Sequence, residues 1–133
     1  NKEFIFNFDQ DSNPKKITKS IEIVYGLRNF IGNANKFCRD KIFITLKSDS
    51  EFTEVIIEDD GEGYPGDILS KIGEPYLKTI RNDDKVKSGL GLGIFIGKNL
   101  LEKNFANINC RNSKTRSGAE VKIRWNNKDF IKI

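Results

Sequence analysis

The sequence predicts an α+β two-layer sandwich, in which helices cover one face of a mixed β-sheet. The order of the segments predicts this architecture, and the length and composition of the chain are consistent with it. Segments typical of strands and of helices mix along the chain without the strict alternation that a doubly wound parallel sheet requires. The 133 residues suffice for one compact domain and leave no room for a second. Hydrophobic residues at 37% and charged residues at 32% fit a globular core under a well-solvated surface.

The first third of the chain predicts one strand, a loop and a long helix. Residues 4–8 have the apolar composition of a strand. Residues 9–16 are rich in Asp, Ser and Asn and contain a Pro, which is typical of a loop. Ser20 can cap a helix that runs to about Phe37, because the apolar residues that follow it recur at helical spacing.

The middle of the chain predicts a hairpin and a turn. Residues 42–46 and 52–58 have strand composition and are joined by a short polar link, which indicates a hairpin. Residues 59–66 are rich in Gly and Asp and predict a turn directly after the second strand. A short helix is expected over residues 67–72.

The last part of the chain predicts a long loop, a helix and a second strand pair. Residues 74–88 are charged and only weakly periodic, so we expect a mobile loop. Residues 91–103 carry apolar side chains at helical spacing. Residues 105–110 and 119–125 predict strands on either side of a turn at residues 113–118.

The composition argues against several classes of protein. The net charge is +4 and the basic residues are spread along the chain, so we expect no nucleic-acid partner. Cys38 and Cys110 lack CxxC spacing and the chain has no His, so neither a zinc site nor a disulfide framework is expected. A reducing, cytoplasmic compartment fits these free thiols. The ten Phe residues predict a core of aromatic rings.

The sequence contains no Met, so we expect it to be a fragment of a longer protein. It has no apolar run long enough to span a membrane, and we expect no direct membrane contact of this domain. A membrane anchor elsewhere in the full-length protein, in the inner membrane, remains open.

The first motif that carries chemistry lies in the predicted long helix. Asn29 and Asn33 are four residues apart and therefore share one face. An amide oxygen is a suitable hard ligand for Mg²⁺, and Lys36 is placed where a cation could reach a phosphate. A surface helix without function is the alternative for this segment alone. Three Asn in one helix are a local cost that favours a functional reason.

The second motif is the turn that follows the second hairpin strand. Asp59 comes after apolar strand residues, and its carboxylate could accept a hydrogen bond from the exocyclic amine of adenine. Gly61 and Gly63 allow the backbone to approach a flat ring or to adopt positive φ. An ordinary acidic turn is the alternative, whereas a calcium loop is disfavoured because it lacks the further ligands and the closing Glu.

The third motif places Gly89, Gly91 and Gly93 at the start of the last predicted helix. Free backbone N–H groups at a helix start attract phosphate. The spacing fits neither the Walker A loop nor the dinucleotide fingerprint, and a flexible hinge is the alternative.

Taken in chain order, the three motifs resemble the N, G1 and G2 boxes of the GHKL ATPase superfamily, which is named for gyrase, Hsp90, histidine kinases and MutL. The boxes correspond to residues 29–37, 59–63 and 89–93, and residues 117–121 resemble the final glycine motif. The resemblance covers residues 21–125. It implies the Bergerat fold, with three main helices over a mixed β-sheet and a mobile lid over ATP.

A narrower resemblance is visible in three segments. Residues 25–29, 72–79 and 89–96 resemble the RegB-type redox-responsive sensor histidine kinases. This resemblance implies that residues 1–133 form one histidine-kinase-type ATP-binding catalytic domain. The phosphoacceptor domain is absent from the sequence.

The resemblance also implies a role for each motif residue. Asn33 would ligate Mg²⁺ with Asn29 assisting, and Lys36 would contact phosphate, so these three form the implied catalytic set. Phe37 would pack against adenine, and Asp59 would pair with its amine. The other implied ATP contacts are Gly61 and Gly63 at the base, Gly89, Leu90, Gly91, Leu92 and Gly93 at the phosphates, and Lys78, Thr79 and Arg81 in the lid.

Two departures from the family pattern bear on activity. Many members carry an acid just before the magnesium asparagine, and here that residue is Gly32. Asn29 stands where ATP-hydrolysing relatives and serine kinases place a Glu base. A neutral imidazole needs less activation than water or a serine hydroxyl, so Asn29 favours a histidine kinase.

The function that follows is transfer of the γ-phosphate of Mg-ATP to a histidine in two-component signalling. The chain contains no His, so the acceptor would lie on the dimerisation domain of the same full-length protein, and a response regulator would be the next partner. The alternatives are a catalytically weak nucleotide-binding signalling module, favoured by Gly32, and a GHKL serine kinase or ATPase.

Overall fold

The computed structural model describes residues 2–8, 20–69 and 90–133, and it confirms the α+β sandwich. Five strands form one mixed sheet in the order β1-β2-β3-β5-β4, in which β1 is parallel to β2 and the other neighbours are antiparallel. In chain order the elements are β1 (Glu3–Phe8), α1 (Ile21–Phe37), β2 (Lys41–Ser48), β3 (Phe52–Asp59), α2 (Gly66–Leu69), α3 (Leu90–Lys103), β4 (Asn107–Asn112), β5 (Ala119–Asn126) and a 3₁₀ helix (Asn127–Lys132).

Strand register decides which side chains meet the helices. Ile57 of β3 lies opposite Ile44 of β2 and Val121 of β5. Alternate residues of a strand point to the same face, so Asp59 lies on the face of Ile57, two residues earlier. That face carries the core, so the Asp59 carboxylate lies on the core side of the sheet at the end of β3.

Helix α1 begins and ends at identifiable hydrogen bonds. The Ser20 side chain accepts from Ile23 N at 3.4 Å, as expected for the predicted cap. After the helix, the Asp60 carboxylate accepts from the backbone N–H groups of Arg39 and Lys41, at 2.8 and 3.2 Å. These bonds fix the chain as it turns from α1 into β2, and they tie that turn to the end of β3.

The prediction of an aromatic core was wrong. Phe30 is the one buried Phe, at 1% exposure, and the rest of the core is mainly aliphatic. Phe4, Phe6 and Phe8 of the edge strand β1 are exposed, because β1 has a neighbour on one side only and the described helices pack over the sheet centre.

The predicted hairpin and the predicted second strand pair are both confirmed, with ends that differ from the prediction by at most two residues. Strand β4 begins at Asn107 instead of residue 105 because residues 104–106 close helix α3, where Ala106 N donates to Leu101 O at 3.0 Å and Phe105 has a φ of 73°. The short helix that was predicted over residues 67–72 is present from Gly66 to Leu69, and residues 70–72 lie outside the described residues. The closing 3₁₀ helix was not predicted.

The predicted loops at residues 9–16 and 74–88 lie outside the described residues. Within the described part of the chain, no helix is both long and apolar enough to cross a membrane.

Candidate functional site

A cavity of about 470 Å³ lies between α1, the end of β3, the start of β5 and the turn after β3. Its volume falls in the usual range for a small-molecule site. Six of the predicted site residues line it, namely Asn33, Lys36, Phe37, Asp59, Gly61 and Gly63. Two motifs that are separated by more than twenty residues in the sequence therefore converge on one cavity.

Asn33 lies on the cavity side of α1, with an unsatisfied amide. Its Nδ2 atom is buried and has no hydrogen-bond partner among the described residues. A buried polar atom without a partner is unusual in folded proteins and commonly marks a ligand or an ion. The amide also lies against Gly93 of α3, so the first and third motifs are adjacent in space.

Asp59 is a buried carboxylate, at 4% exposure. Its Oδ1 atom accepts from Gly61 N at 2.8 Å and from Ala119 N at 3.3 Å. Burial raises the pKa of Asp59 above its ordinary value, and these two hydrogen bonds oppose that shift. Because both bonds go to Oδ1, the Oδ2 atom has no donor among the described residues and can accept from a ligand.

Two glycines allow the backbone to close around this carboxylate. A Cβ atom on Gly61 would clash with the carbonyl oxygen of Phe37, and one on Gly118 would clash with Asp59 Oδ1 and with the Asp59 backbone. Gly61 belongs to the predicted G1 motif, and Gly118 belongs to the segment predicted as the final glycine motif. The turn after β3 and the start of β5 thus hold Asp59 from two sides.

The rim of the cavity carries two basic side chains, the acidic side chain of Glu62 and an aromatic ring. Lys36 is exposed, and its Nζ atom lies 5.4 Å from the centroid of the Phe37 ring. Arg39 also lines the cavity. Cations at the mouth of a concave site attract a polyanion such as a nucleotide.

The other predicted site residues are either away from the cavity wall or beyond what the structure describes. Asn29 is not among the lining residues, and its Nδ2 atom donates to Tyr25 O at 2.8 Å within α1. Leu90, Gly91 and Leu92 lie in the first turn of α3, and the contacts of their side chains are outside what the structure describes. Lys78, Thr79, Arg81 and Gly89 lie outside the described residues.

Tyr64, Asn112 and Arg39 are among the residues at the site to which the sequence analysis gave no role. Tyr64 lines the cavity and is 7% exposed, and its main chain pairs with the side chain of Asn112. Tyr64 follows the glycine motif directly, so its position was a usable signal. The sequence contained no signal for Asn112 or Arg39, because a single Asn or Arg in a polar stretch forms no recognisable pattern.

The comparison with family models gives one match. Residues 18–129 match the family described as "Histidine kinase-, DNA gyrase B-, and HSP90-like ATPase". The matched range includes every predicted motif.

Two similar curated proteins are named as a sensor histidine kinase and a sensor protein. The chain is 33% identical over 130 residues to the sensor histidine kinase RegB of Cereibacter sphaeroides, covering 86% of this chain and 28% of RegB. It is 27% identical over 99 residues to the sensor protein RstB of Escherichia coli, covering 74% of this chain and 23% of RstB. The chain thus spans less than a third of the length of these relatives.

Solved structures share the fold. A mycobacterial sensor histidine kinase, MprB, superimposes with a TM-score of 0.71 at 20% identity, over 93% of this chain and 80% of MprB. Full-length ShkA in complex with AMPPNP gives a TM-score of 0.68 at 22% identity, over 92% of this chain and 25% of ShkA. At this level of identity the likeness establishes the fold alone.

Proposed function

Because the chain belongs to the histidine kinase-, DNA gyrase B- and HSP90-like ATPase family, we propose that it binds Mg-ATP and donates the γ-phosphate to a histidine in two-component signalling. One observation carries the proposal. Asn33 and Asp59, from separate motifs, line one cavity of about 470 Å³. The proposed acceptor lies on the dimerisation domain of the same full-length protein, since this chain contains no His.

At the base end, the proposal assigns recognition of adenine to Asp59. Its Oδ1 atom is occupied by Gly61 N and Ala119 N. Oδ2 is left to accept from the exocyclic amine, which is a donor that a guanine base lacks at that position. Phe37 offers an apolar surface to the ring, and Gly61 lets the backbone approach it.

At the phosphate end, the residues present fit a magnesium ion. Asn33 carries a buried amide whose Nδ2 atom has no partner among the described residues. Mg²⁺ binds the oxygen of an amide and not its nitrogen, and a half-turn of the side chain exchanges the two, so Asn33 Oδ1 would be the ligand. The described residues contain no cluster of three or more acidic, His or Cys side chains, so a single amide plus substrate phosphates is the fitting ligand set.

Bound Mg²⁺ would neutralise the charge of the triphosphate. The chain's own residues position it. Lys36 is exposed at the rim and supplies a cation to the phosphates, while Asn33 fixes their depth in the cavity. Phosphoryl transfer depends chiefly on such positioning and charge neutralisation.

The acceptor fits a histidine better than water or a serine hydroxyl. Among the described residues, Asn29 and Gly32 stand at the two positions of α1 where a carboxylate base would be expected, and neither can accept a proton. A neutral imidazole is already a nucleophile. We therefore place the domain in a cytoplasmic kinase with a response regulator as its downstream partner.

The first experiment is binding of a non-hydrolysable ATP analogue, measured by calorimetry and thermal shift. At 100-fold its Kd, a ligand adds about 2.7 kcal/mol of stability. Asn33→Ala is expected to abolish the Mg²⁺-dependent part, and Asn35→Ala, an exposed residue two positions away, serves as the control. An Asn33→Ala variant that keeps the full Mg²⁺-dependent shift refutes the assignment.

A second experiment separates transfer from mere binding. The isolated dimerisation domain is supplied in trans with labelled ATP, and label is expected on its histidine. Gly32 is the observation that favours the alternative, a nucleotide-binding module without catalysis, because no acid stands beside Asn33. Binding without label transfer supports that module, and steady phosphate release by the domain alone supports an ATPase.

A further inference from the structure

Asn112, the last residue of β4, pairs with the main chain of Tyr64. Tyr64 N donates to Asn112 Oδ1 at 2.6 Å, and Asn112 Nδ2 donates to Tyr64 O at 3.0 Å. One side-chain amide thus satisfies both polar groups of a single residue, 48 positions away in the sequence. Two such hydrogen bonds also join paired residues of neighbouring strands. Here the Asn112 side chain takes the place of the second strand for the turn after β3.

The same amide fixes the conformation of the residue before Tyr64. Gly63 has a φ of +80°, and a Cβ atom at this position would lie 2.6 Å from Asn112 Oδ1. The backbone of Gly63 therefore passes directly beside the Asn112 side chain. Since Gly populates many backbone states, holding it in one of them needs an outside contact.

The segment so held is a wall of the cavity. Gly61, Gly63 and Tyr64 all line it. Tyr64 is buried, and its side chain lies close to that of Cys110 in the core. Cys110 and Asn112 are two residues apart in β4 and so lie on one face of the strand. Strand β4 therefore binds the main chain of Tyr64 through Asn112 and lies beside its side chain, although β4 contributes no residue to the cavity lining.

We propose that Asn112 is a positioning residue for the purine, which holds Gly63 and Tyr64 in the conformation that the adenine ring requires. The inference rests on the proposed function. Asn112 acts through the main chain of Tyr64 and makes no contact with the nucleotide. Without Asn112, the turn is correctly formed for only a fraction of the time. The apparent affinity for the nucleotide is then the intrinsic affinity multiplied by that fraction.

The inference distinguishes the base end of the site from the phosphate end. Loss of Asn112 is expected to weaken binding of AMP, ADP and the ATP analogue by the same factor. The factor is also the same with and without Mg²⁺. A change at Asn33 should instead affect the Mg²⁺-dependent part alone.

The test compares two variants with a control on the same strand. Asn112→Ala removes both hydrogen bonds, and a loss of about fivefold is expected for all three nucleotides. Asn112→Asp keeps the size of the side chain but places an oxygen opposite Tyr64 O, so it should lose at least as much. Asn109→Ala changes an exposed residue of β4 and should leave the affinities unchanged.

Amide hydrogen exchange supplies a readout that needs no nucleotide. In the parent domain the Tyr64 N–H should exchange slowly, and in Asn112→Ala it should exchange about fivefold faster, while amides of the β3–β5 ladder keep their rates. Faster exchange throughout the sheet would indicate general loss of stability and would overturn the positioning role.

The outcomes separate the inference from the proposed function. If the parent binds nucleotide and both Asn112 variants bind it equally well, the inference is wrong and the function stands. A loss confined to ATP with Mg²⁺ also overturns it. If the parent binds none of the three nucleotides, the proposed function fails and the inference falls with it.

Discussion

The side-chain amide of Asn33 lies directly against Gly93, where a Cβ atom would meet Oδ1 at 3.1 Å and Nδ2 at 3.2 Å. This contact joins the middle of α1 to the first turn of α3. The asparagine motif of α1 and the glycine motif of α3 therefore form one structural unit, and a glycine at position 93 leaves the space that the Asn33 amide occupies.

Gly93→Ala is predicted to weaken Mg²⁺-dependent nucleotide binding. The added methyl group is too close to the amide, which must shift by a few tenths of an ångström. A loss of about tenfold is expected, corresponding to about 1.4 kcal/mol. Calorimetric titration of an ATP analogue with and without Mg²⁺ measures it, and affinity without Mg²⁺ should stay unchanged. Equal Mg²⁺-dependent affinity in the variant would show that the amide position does not matter.

Asp59→Asn is predicted to stabilise the domain without nucleotide and to weaken ATP binding. Burial raises the pKa of Asp59, so the folded state binds the proton more tightly than the unfolded chain does. The free energy of unfolding therefore falls as pH rises from the unfolded pKa through the raised folded pKa, and the ionised carboxylate remains a cost at neutral pH. An amide keeps the acceptor for Gly61 N without the charge.

Thermal unfolding across this acidic to neutral range checks the sign. The advantage of Asp59→Asn over the parent should grow with pH and then level off above the folded pKa. In the same samples, binding of the ATP analogue should be weaker in the variant, because the added N–H₂ group faces the adenine amine. Full affinity would place adenine elsewhere, and a stability advantage that shrinks with rising pH would contradict the raised pKa.

The site residues that the sequence could predict are those with a local pattern. Asn33 and Lys36 lie in one amphipathic helix, and Asp59 to Gly63 follow one strand, so spacing along the chain already fixes their neighbours. The strand register places the helix residues and the turn residues at one cavity, because Ile42, which follows the turn after α1, pairs with Asp59. The same reasoning gave the two hairpins.

The features that the sequence did not predict depend on contacts between distant residues, and such contacts produce no periodic pattern in the sequence. The pairing of Asn112 with Tyr64 joins residues 48 positions apart. The parallel pairing of β1 with β2 spans a whole helix, and no turn motif announces it. The prediction of an aromatic core was wrong for a related reason, since Phe6 and Phe8 lie at a sheet edge and are 64% and 68% exposed. Composition alone does not say which strand is at the edge.

Gly32→Ala is predicted to stabilise the domain. Gly32 lies inside α1, is exposed, and has nothing within 4 Å of a Cβ atom. Alanine in a helix interior is favoured over glycine by about 0.5–1 kcal/mol. Chemical denaturation should show a higher midpoint with an unchanged slope, and nucleotide affinity should not change. A lower midpoint would mean that the exposed face of α1 packs against part of the chain that the structure does not describe.

Gly26→Ala, in the same helix, is predicted to have the opposite effect. A Cβ atom at Gly26 would lie 2.6 Å from Leu101 Cγ, and Leu101 is fully buried, so the side chain cannot move aside. Helices α1 and α3 would have to separate where they now pack closely, at a cost of about 1–3 kcal/mol. The residue type and the helix are the same as in Gly32→Ala, so propensity cancels and the difference in denaturation midpoint reports the helix contact alone. Equal shifts in the two variants would mean that α1 and α3 do not approach at Gly26.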